Sequence, residues 1–129
     1  MDRLTADDLA SVWTEDFGWF QHIGALALLD GGELVDAAGR FRIDTARQVI
    51  DRRLDLVPRL RQVLYVPRRG LGLPLWVDAP AFDIADHVRV FPGAAPPDEA
   101  GLLLVTEQLR RAGLDRSRPL WEMGAALLE

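Results

Sequence analysis

Residues 114–129 of this chain have the sequence LDRSRPLWEMGAALLE, and the fold assignment depends most on this stretch. Its first half is rich in residues typical of tight turns. Leu120 to Glu129 has the unbroken apolar pattern of a buried strand. A helix is predicted just before it, with Pro97 at its first position, acidic residues in its first turn and Gly113 at its end. The stretch therefore predicts a helix, a turn and a buried strand in succession.

Two more helices are predicted upstream. Thr5, with Asp8 three residues later, forms a capping box at the start of a short first helix. Asp44 is expected to cap a second helix, which Pro58 breaks or restarts. The apolar stripes expected to face the core are Ala46, Val49, Ile50, Leu54 and Val57 in the second helix, and Leu102, Val105, Leu109 and Ala112 in the helix after Pro97.

The strands are predicted from shorter patterns. Residues 19–29 are apolar in both phases, which favours a strand covered on both faces. Residues 39–43 alternate like a short edge strand, and residues 62–66 and 73–77 have the pattern of two further short strands. Residues 92–97 are rich in Pro and Gly and are expected to form a loop within one domain.

Length and composition limit the classes of function. A chain of 129 residues that is 49% apolar and 27% charged has room for one packed domain. Its net charge of −5 argues against dedicated nucleic-acid binding. Cysteine is absent, which excludes thiolate catalysis and Cys-based metal sites. The polar, acidic start is unlike a secretory signal, and no apolar run is long enough to span a bilayer, so we expect a cytoplasmic protein.

The only two histidines, His22 and His87, stand 65 positions apart without companion ligands, so no metal site is predicted. We expect His22 to be hydrogen-bonded beside a packed strand. His87 lies next to Asp83 and Asp86, where a carboxylate could hold it as a base, or where the cluster could simply be a polar strand end.

Arginine is concentrated in residues 40–69, which hold nine arginines and three aspartates and so carry a local charge of +6. This region is a candidate anion surface for a nucleotide-containing cosubstrate or for anionic lipid head groups. The candidate contacts are Arg47, Arg52, Arg53, Arg59 and Arg61. The alternative is a solvated helix face, with Arg47 paired to Asp51 and Asp55 paired to Arg59 at i, i+4 spacing.

Several segments, taken in order, resemble the N-terminal portion of the bacterial wax ester synthase / acyl-CoA:diacylglycerol acyltransferase family. They are residues 21–26 (QHIGAL), 57–62 (VPRLRQ), 66–67 (VP), 74–78 (PLWVD), 82–88 (FDIADHV) and 114–122 (LDRSRPLWE). The resemblance runs from about Leu4 to the last residue, so the whole chain, residues 1–129, is identified as the N-terminal part of such a domain. Residues 114–122 are its most specific part.

The resemblance implies an α/β fold of the chloramphenicol-acetyltransferase type, in which helices cover a mixed sheet, here as a half-domain incomplete at its C-terminus. It implies transfer of a fatty acyl group from acyl-CoA, a cosubstrate, to diacylglycerol or a long-chain alcohol, with no other cofactor. This reaction makes triacylglycerol or wax ester, and it suggests peripheral contact with the membrane or with lipid bodies.

The family's general base is the second histidine of a His-His-x-x-x-Asp-Gly motif, and this sequence contains no such motif. The chain is therefore expected to be a truncated or split acyltransferase with no catalytic residue of its own, inactive unless another polypeptide supplies the missing half. The alternative is a non-catalytic module that binds lipid, acyl-CoA or a protein. In either case, the unpaired terminal strand predicts a C-terminal partner or self-association.

The motif residues carried over from the family are assigned structural roles near the site. They are Asp115, Arg118, Pro119, Leu120, Trp121 and Glu122. Trp121 is expected to be a large apolar anchor, and Asp115 and Arg118 are expected to pair across the turn.

Overall fold

The computed structural model describes residues 1–91 and 98–128. The predicted loop at residues 92–97, the predicted helix start at Pro97 and the terminal Glu129 lie outside the described residues. The helices are α1 (Ala6–Asp16), α2 (Ile43–Asp51), the single turn α3 (Ile84–His87) and α4 (Glu99–Arg111). Short 3₁₀ turns cover Gly32–Leu34, Leu54–Leu56 and Pro58–Arg61. The strands are β1 (Asp2–Arg3), β2 (Gln62–Tyr65), β3 (Leu75–Asp78), β4 (Val88–Val90) and β5 (Met123–Ala125).

The predicted start of α1 is confirmed. The Thr5 hydroxyl accepts a hydrogen bond from the Asp8 N–H at 3.1 Å, and the Asp8 carboxylate accepts one from the Thr5 N–H at 2.9 Å. These two bonds satisfy donors that the first helical turn otherwise leaves unpaired. The bond from the Thr5 backbone is the main cause that lowers the pKa of the Asp8 carboxyl, because it favours the charged form.

Helix α4 also follows the prediction closely. Asp98 caps it by accepting a hydrogen bond from the Gly101 N–H at 2.8 Å. Gly113, with φ of 71°, lies just beyond its end in the left-handed conformation that favours glycine. Leu102 is buried, as expected for the core-facing stripe, whereas Ala112 is exposed because the helix has already ended at Arg111.

Helix α2 differs from its prediction at both ends. It begins at Ile43, so Asp44 lies inside the first turn instead of capping it, and it ends at Asp51. The chain continues in two 3₁₀ turns, the second with Pro58 at its start. Because these turns do not continue the helical period, the predicted stripe breaks up. Leu54 is buried and Ala46 and Ile50 are half-buried, but Val49 and Val57 are exposed.

The strands form two separate small sheets. In the first, β1 and β2 both pair antiparallel with β3, and Leu64 lies opposite Trp76. In the second, β4 and β5 pair in parallel, with Val88 opposite Met123. The predicted strands at residues 62–66 and 73–77 are therefore confirmed with slightly different bounds. The expected α/β class is confirmed. Among the described residues, the antiparallel and parallel pairings occur in two different small sheets.

Three predicted strands differ in the structure. Residues 19–29 form no strand, and Trp19, Phe20 and Ile23 are exposed. A covered strand needs neighbours along both edges and over both faces, and no described strand pairs with this segment. Residues 39–43 contribute only an isolated bridge between Val35 and Phe41. The predicted final strand is reduced to the three residues of β5.

The core is small and draws its side chains from both sheets, α4 and the segments next to them. Its buried apolar side chains are Leu4, Leu54, Leu64, Val88 and Leu102. Val88 is the most deeply buried of them, with 1% of its surface exposed. Two polar side chains, Gln62 and His87, are buried with them. No described helix has both the length and the apolar character needed to cross a membrane.

Candidate functional site

Residues 114–122, called the motif segment from here on, begin with a tight turn. The Asp115 carboxylate accepts hydrogen bonds from the Ser117 hydroxyl at 2.7 Å and from the Ser117 N–H at 2.9 Å. Both bonds lower the pKa of Asp115, that of the hydroxyl more strongly. The predicted pair of Asp115 and Arg118 is confirmed, with Nε and Oδ2 3.7 Å apart. Arg118 also contacts the Asp86 carboxylate of α3 at 3.2 Å.

Arg116 connects the motif segment to α1. Its guanidinium lies 2.9 Å from the Asp16 carboxylate and 3.1 Å from that of Glu15, and it donates to the Val12 carbonyl at 3.4 Å. Partial burial lowers the pKa of Arg116, but the bonds to Glu15 and Asp16 outweigh this effect and raise it. Sequence analysis did not single out Arg116, because its partners lie about 100 positions away and the only available signal was its place in the motif segment.

Trp121 holds the end of the motif segment through a hydrogen bond, and its role as an apolar anchor beside the site stays a prediction. Its indole N–H donates to the Leu60 carbonyl at 2.8 Å, which connects the segment to the 3₁₀ turn before β2. Pro119 is buried, and Leu120 and Trp121 are half-buried. An indole of this kind combines a large apolar surface with one donor that needs a partner. The hydrogen bond to Leu60 therefore fixes the direction of the Trp121 indole.

His87 lies against Trp121 and is only 3% exposed. Its Nδ1 lies 2.8 Å from the Trp121 carbonyl oxygen. Its ring is stacked between those of Phe82, at 5.1 Å, and Trp121, at 4.6 Å. The hypothesis of a base held by a nearby carboxylate is wrong, because the partner of His87 is a backbone carbonyl and Asp86 pairs with Arg118.

Glu122 forms an ion pair with Arg89 of β4 beside an open cleft of about 440 Å³. The cleft lies between α4 and the β4–β5 sheet, and its apolar lining comes from Val90, Phe91, Leu109, Ala112 and Gly124. A Cβ on Gly124 would lie 2.8 Å from a methyl group of Leu109, so a larger residue at this position would displace the Leu109 side chain. The motif segment thus ends at the rim of an apolar cleft.

Three of the five candidate anion-binding arginines already have partners within the fold. Arg47 donates to the Val88 carbonyl at 2.9 Å, and Arg61 contacts the Asp51 carboxylate at 3.0 Å. Arg59 donates to Gln62 at 2.8 Å. The guanidinium groups of Arg59 and Arg61 also lie over aromatic rings, those of Trp76 at 4.7 Å and Phe82 at 4.8 Å.

The predicted i, i+4 pairs are wrong. Asp51 pairs with Arg61 instead of Arg47, and Asp55 lies 3.4 Å from Arg61 instead of pairing with Arg59. The 3₁₀ turns after α2 break the helical spacing and bring Arg61 back toward both carboxylates. Arg52 and Arg53 are exposed and have no ion pair within the described residues, so they are the two of the five candidates most open to an external anion.

His22 is not beside a strand. Its Nδ1 lies 3.3 Å from the Arg110 carbonyl at the end of α4, and its Nε2 lies 3.9 Å from Glu15. Its predicted structural role is supported by the hydrogen bond, although the neighbouring element is a helix. Within residues 1–91 and 98–128, no cluster of three or more metal-ligating side chains occurs.

Comparisons with a family model and with curated proteins point to the same family of acyltransferases. A model of the wax ester synthase/diacylglycerol acyltransferase catalytic domain matches residues 4–125. The chain is similar to the probable diacylglycerol O-acyltransferase tgs3 of Mycobacterium tuberculosis, with 32% identity over 94% of this chain and 43% of the relative. It is also similar to the probable diacylglycerol O-acyltransferase tgs1 of the same species, with 35% identity over 95% of this chain and 26% of the relative. It thus spans less than half the length of these curated relatives. No solved structure gives a significant match.

Proposed function

Because the chain belongs to the wax ester synthase/diacylglycerol acyltransferase family, we propose that it forms the N-terminal part of an acyl-CoA-dependent O-acyltransferase domain of neutral-lipid synthesis. The donor is an acyl-CoA, which is a substrate and not a resident cofactor, and the acceptor is diacylglycerol or a long-chain alcohol. The names of the relatives, which are diacylglycerol O-acyltransferases, support this assignment. The fold proposed for the complete domain is of the chloramphenicol-acetyltransferase type, with which the α/β class of the chain agrees.

The observation that carries the proposal is the set of contacts made by the motif segment. This segment contacts α1 through Arg116, α3 through Arg118, the 3₁₀ turn before β2 through Trp121 and β4 through Glu122. Four elements from three separate parts of the sequence are thus joined at one place, since α3 and β4 are consecutive. The segment has the role of a scaffold, because its charged side chains are paired with protein groups and Trp121 uses its only donor on Leu60.

Acyl transfer needs a base to remove the acceptor hydroxyl proton and donors to hold the oxyanion that develops on the thioester carbonyl. The hydroxyl oxygen then bonds to the acyl carbon, and the CoA thiolate leaves with a proton returned from the base. Neither imidazole of this chain is arranged for the first step. His87 is only 3% exposed, which keeps a substrate hydroxyl away from its ring, and the Nε2 atom of His22 lies 3.9 Å from the Glu15 carboxylate.

We therefore assign the catalytic base to a His-His-x-x-x-Asp-Gly motif, which does not occur in these 129 residues. A missing general base typically lowers the rate by about 10²- to 10⁴-fold, and the loss of substrate positioning lowers it further. The partner or self-association expected for the chain would use the β4–β5 sheet, which has only two strands and leaves both edges without a described neighbour. A stable monomer across micromolar concentrations in sedimentation would contradict this expectation.

The proposal is tested by acyl transfer from labelled palmitoyl-CoA to dioleoylglycerol. Three samples are compared: the purified chain, the chain fused to the remainder of the tgs3 relative, and that fusion with the second histidine of the motif changed to alanine. Ester from the unaltered fusion alone is the expected result. A folded fusion that binds palmitoyl-CoA and forms no ester would contradict the enzyme assignment and would favour a non-catalytic binding module.

Peripheral contact with lipid is part of the same proposal. The exposed apolar side chains of Trp19, Phe20 and Ile23 support it, because such groups gain by leaving water at a membrane interface. Flotation with vesicles of neutral phospholipid, compared with a triple serine variant of these three residues, measures the contribution of this segment. Equal flotation of both forms would exclude it.

A further inference from the structure

His87 and Trp121 meet where the parallel sheet begins. His87 immediately precedes Val88, the first residue of β4, and Trp121 lies two residues before Met123, the first residue of β5. The Nδ1 atom of His87 is 2.8 Å from the Trp121 carbonyl oxygen. The two rings are stacked with their centroids 4.6 Å apart and their planes inclined by 17°. One side chain therefore contacts both the backbone and the ring of Trp121.

The chemistry of this contact fixes the state of the imidazole. A carbonyl oxygen can only accept a hydrogen bond, so the Nδ1 atom of His87 must carry the hydrogen. In the neutral ring, Nε2 is then the lone-pair nitrogen. Because the Phe82 ring is also stacked on the imidazole, at 5.1 Å, the buried ring has little freedom to turn away from the carbonyl. The hydrogen bond is thus held in place by the packing of two aromatic rings.

The β4–β5 sheet is too short to fix its own register. Each strand has only three residues, and a slip by one residue would turn every side chain to the opposite face. Such a slip would move Val88, the most buried side chain of the core, out of its place. A side-chain bond just before both strands favours the observed register, in which Val88 lies opposite Met123. Arg47 supports the same point by donating to the Val88 carbonyl at 2.9 Å.

We propose that His87 is a positioning residue that holds the Trp121 backbone, and thereby sets both the register of β4 with β5 and the direction of the Trp121 indole toward Leu60. The consequence for acyl transfer rests on the proposed function, whereas the structural part does not. A histidine that only fills space would need no donor at Nδ1. The donor and the stacked ring can be separated by substitution.

Two variants make this separation. His87→Phe keeps a stacked ring and removes the donor, and His87→Asn keeps a donor at the position of Nδ1 and removes the ring. His22→Asn, at the other imidazole, is the matched control. The readout for the sheet is hydrogen exchange of the Phe91 amide, which donates to the Ala125 carbonyl at 2.8 Å beyond the far end of the β4–β5 pair. The reference is the Leu102 amide in α4, which donates to the Asp98 carbonyl.

We expect His87→Phe to lower the protection of the Phe91 amide about tenfold or more relative to the Leu102 amide, and to shift the Trp121 indole N–H resonance. His87→Asn should retain most of the protection, and His22→Asn should match the wild type. If His87→Phe lowered the protection of the Phe91 and Leu102 amides equally, the substitution would have destabilised the whole fold, and the proposal would be overturned. Unchanged protection of both amides would also overturn it. If the variants do not fold, nitrogen-15 spectra of the His87 side chain in the wild type test the proposal instead. A hydrogen on Nε2 alone would overturn it, because the proposal requires the hydrogen on Nδ1.

The activity measurement is kept separate. In the active fusion described above, His87→Phe should lower kcat more than His87→Asn does, with the KM for palmitoyl-CoA unchanged, because the substitution lies away from the exposed surface. Equal kcat in the two variants would contradict the catalytic consequence. A fusion that forms no ester even with the wild-type sequence would count against the proposed function, while the exchange experiment would still test the positioning role.

Discussion

Trp121→Phe removes the donor that connects the motif segment to the 3₁₀ turn before β2 and keeps an aromatic ring beside His87. The lost bond to the Leu60 carbonyl, at 2.8 Å, has a net contribution of about 0.5 to 1.5 kcal/mol. The smaller ring also loses part of its stacking on His87, and an aromatic pair of this kind contributes about 0.5 to 1.5 kcal/mol. The free energy of unfolding should therefore fall by about 2 kcal/mol.

Urea unfolding followed by far-ultraviolet circular dichroism measures this change without relying on tryptophan fluorescence. The midpoint should fall while the dependence on urea stays constant, as expected for a change in stability alone. Trp13→Phe is the matched control, because Trp13 is 55% exposed and its substitution should change stability by about 0.5 kcal/mol or less. If the two variants were equally stable, the anchoring role of Trp121 would be refuted.

Other predictions concern the core, acid stability and the arginines. Leu54→Ala, at a side chain 3% exposed, should cost about 2 to 5 kcal/mol in urea unfolding, whereas Leu56→Ala, 80% exposed, should cost less than about 0.5 kcal/mol. Hydrogen bonds from two arginines in the last turn of α4 lower the pKa of Glu107 from 4.5 to about 2. Its contribution to stability is therefore present above pH 4.5 and should be lost as the pH falls toward 2, and thermal unfolding of Glu107→Gln should depend less on pH across this range. If the exposed arginines bind anionic lipid, changing Arg52 and Arg53 to Glu should abolish flotation with anionic vesicles, and unchanged flotation would exclude them.

Features set by neighbours in sequence could be predicted from the sequence. The capping box of Thr5 and Asp8 and the pair of Asp115 with Arg118 both join residues three positions apart. The spacing alone brings such groups together once a helix or tight turn forms. The hairpin strands β2 and β3 were likewise found from short apolar runs on either side of a glycine-rich loop.

Features that depend on distant partners could not be predicted in this way. Asp86 is next to His87 in sequence, yet the hydrogen bond of His87 goes to Trp121, 34 positions away. Asp51 lies four residues from Arg47, yet it pairs with Arg61 because the 3₁₀ turns redirect the chain. Which partner is nearer in space depends on the fold, and a single sequence does not show it.

The apolar residues 19–29 illustrate a third case. Their pattern is typical of a covered strand, but a strand forms only where another strand supplies hydrogen bonds, and no described strand lies beside them. The apolar pattern therefore indicates that the segment would need a neighbouring strand and covered faces to form a strand, and it does not show that these are present.

The most direct measurement is ester formation by the purified chain alone. The chain is incubated with labelled palmitoyl-CoA and dioleoylglycerol, beside a variant in which His22 and His87 are both changed to alanine. Since neither imidazole is placed to act as a base, we expect no ester above the level of the double variant. Ester formed by the wild-type chain and abolished in the double variant would contradict the assignment of the catalytic base to a motif outside these 129 residues.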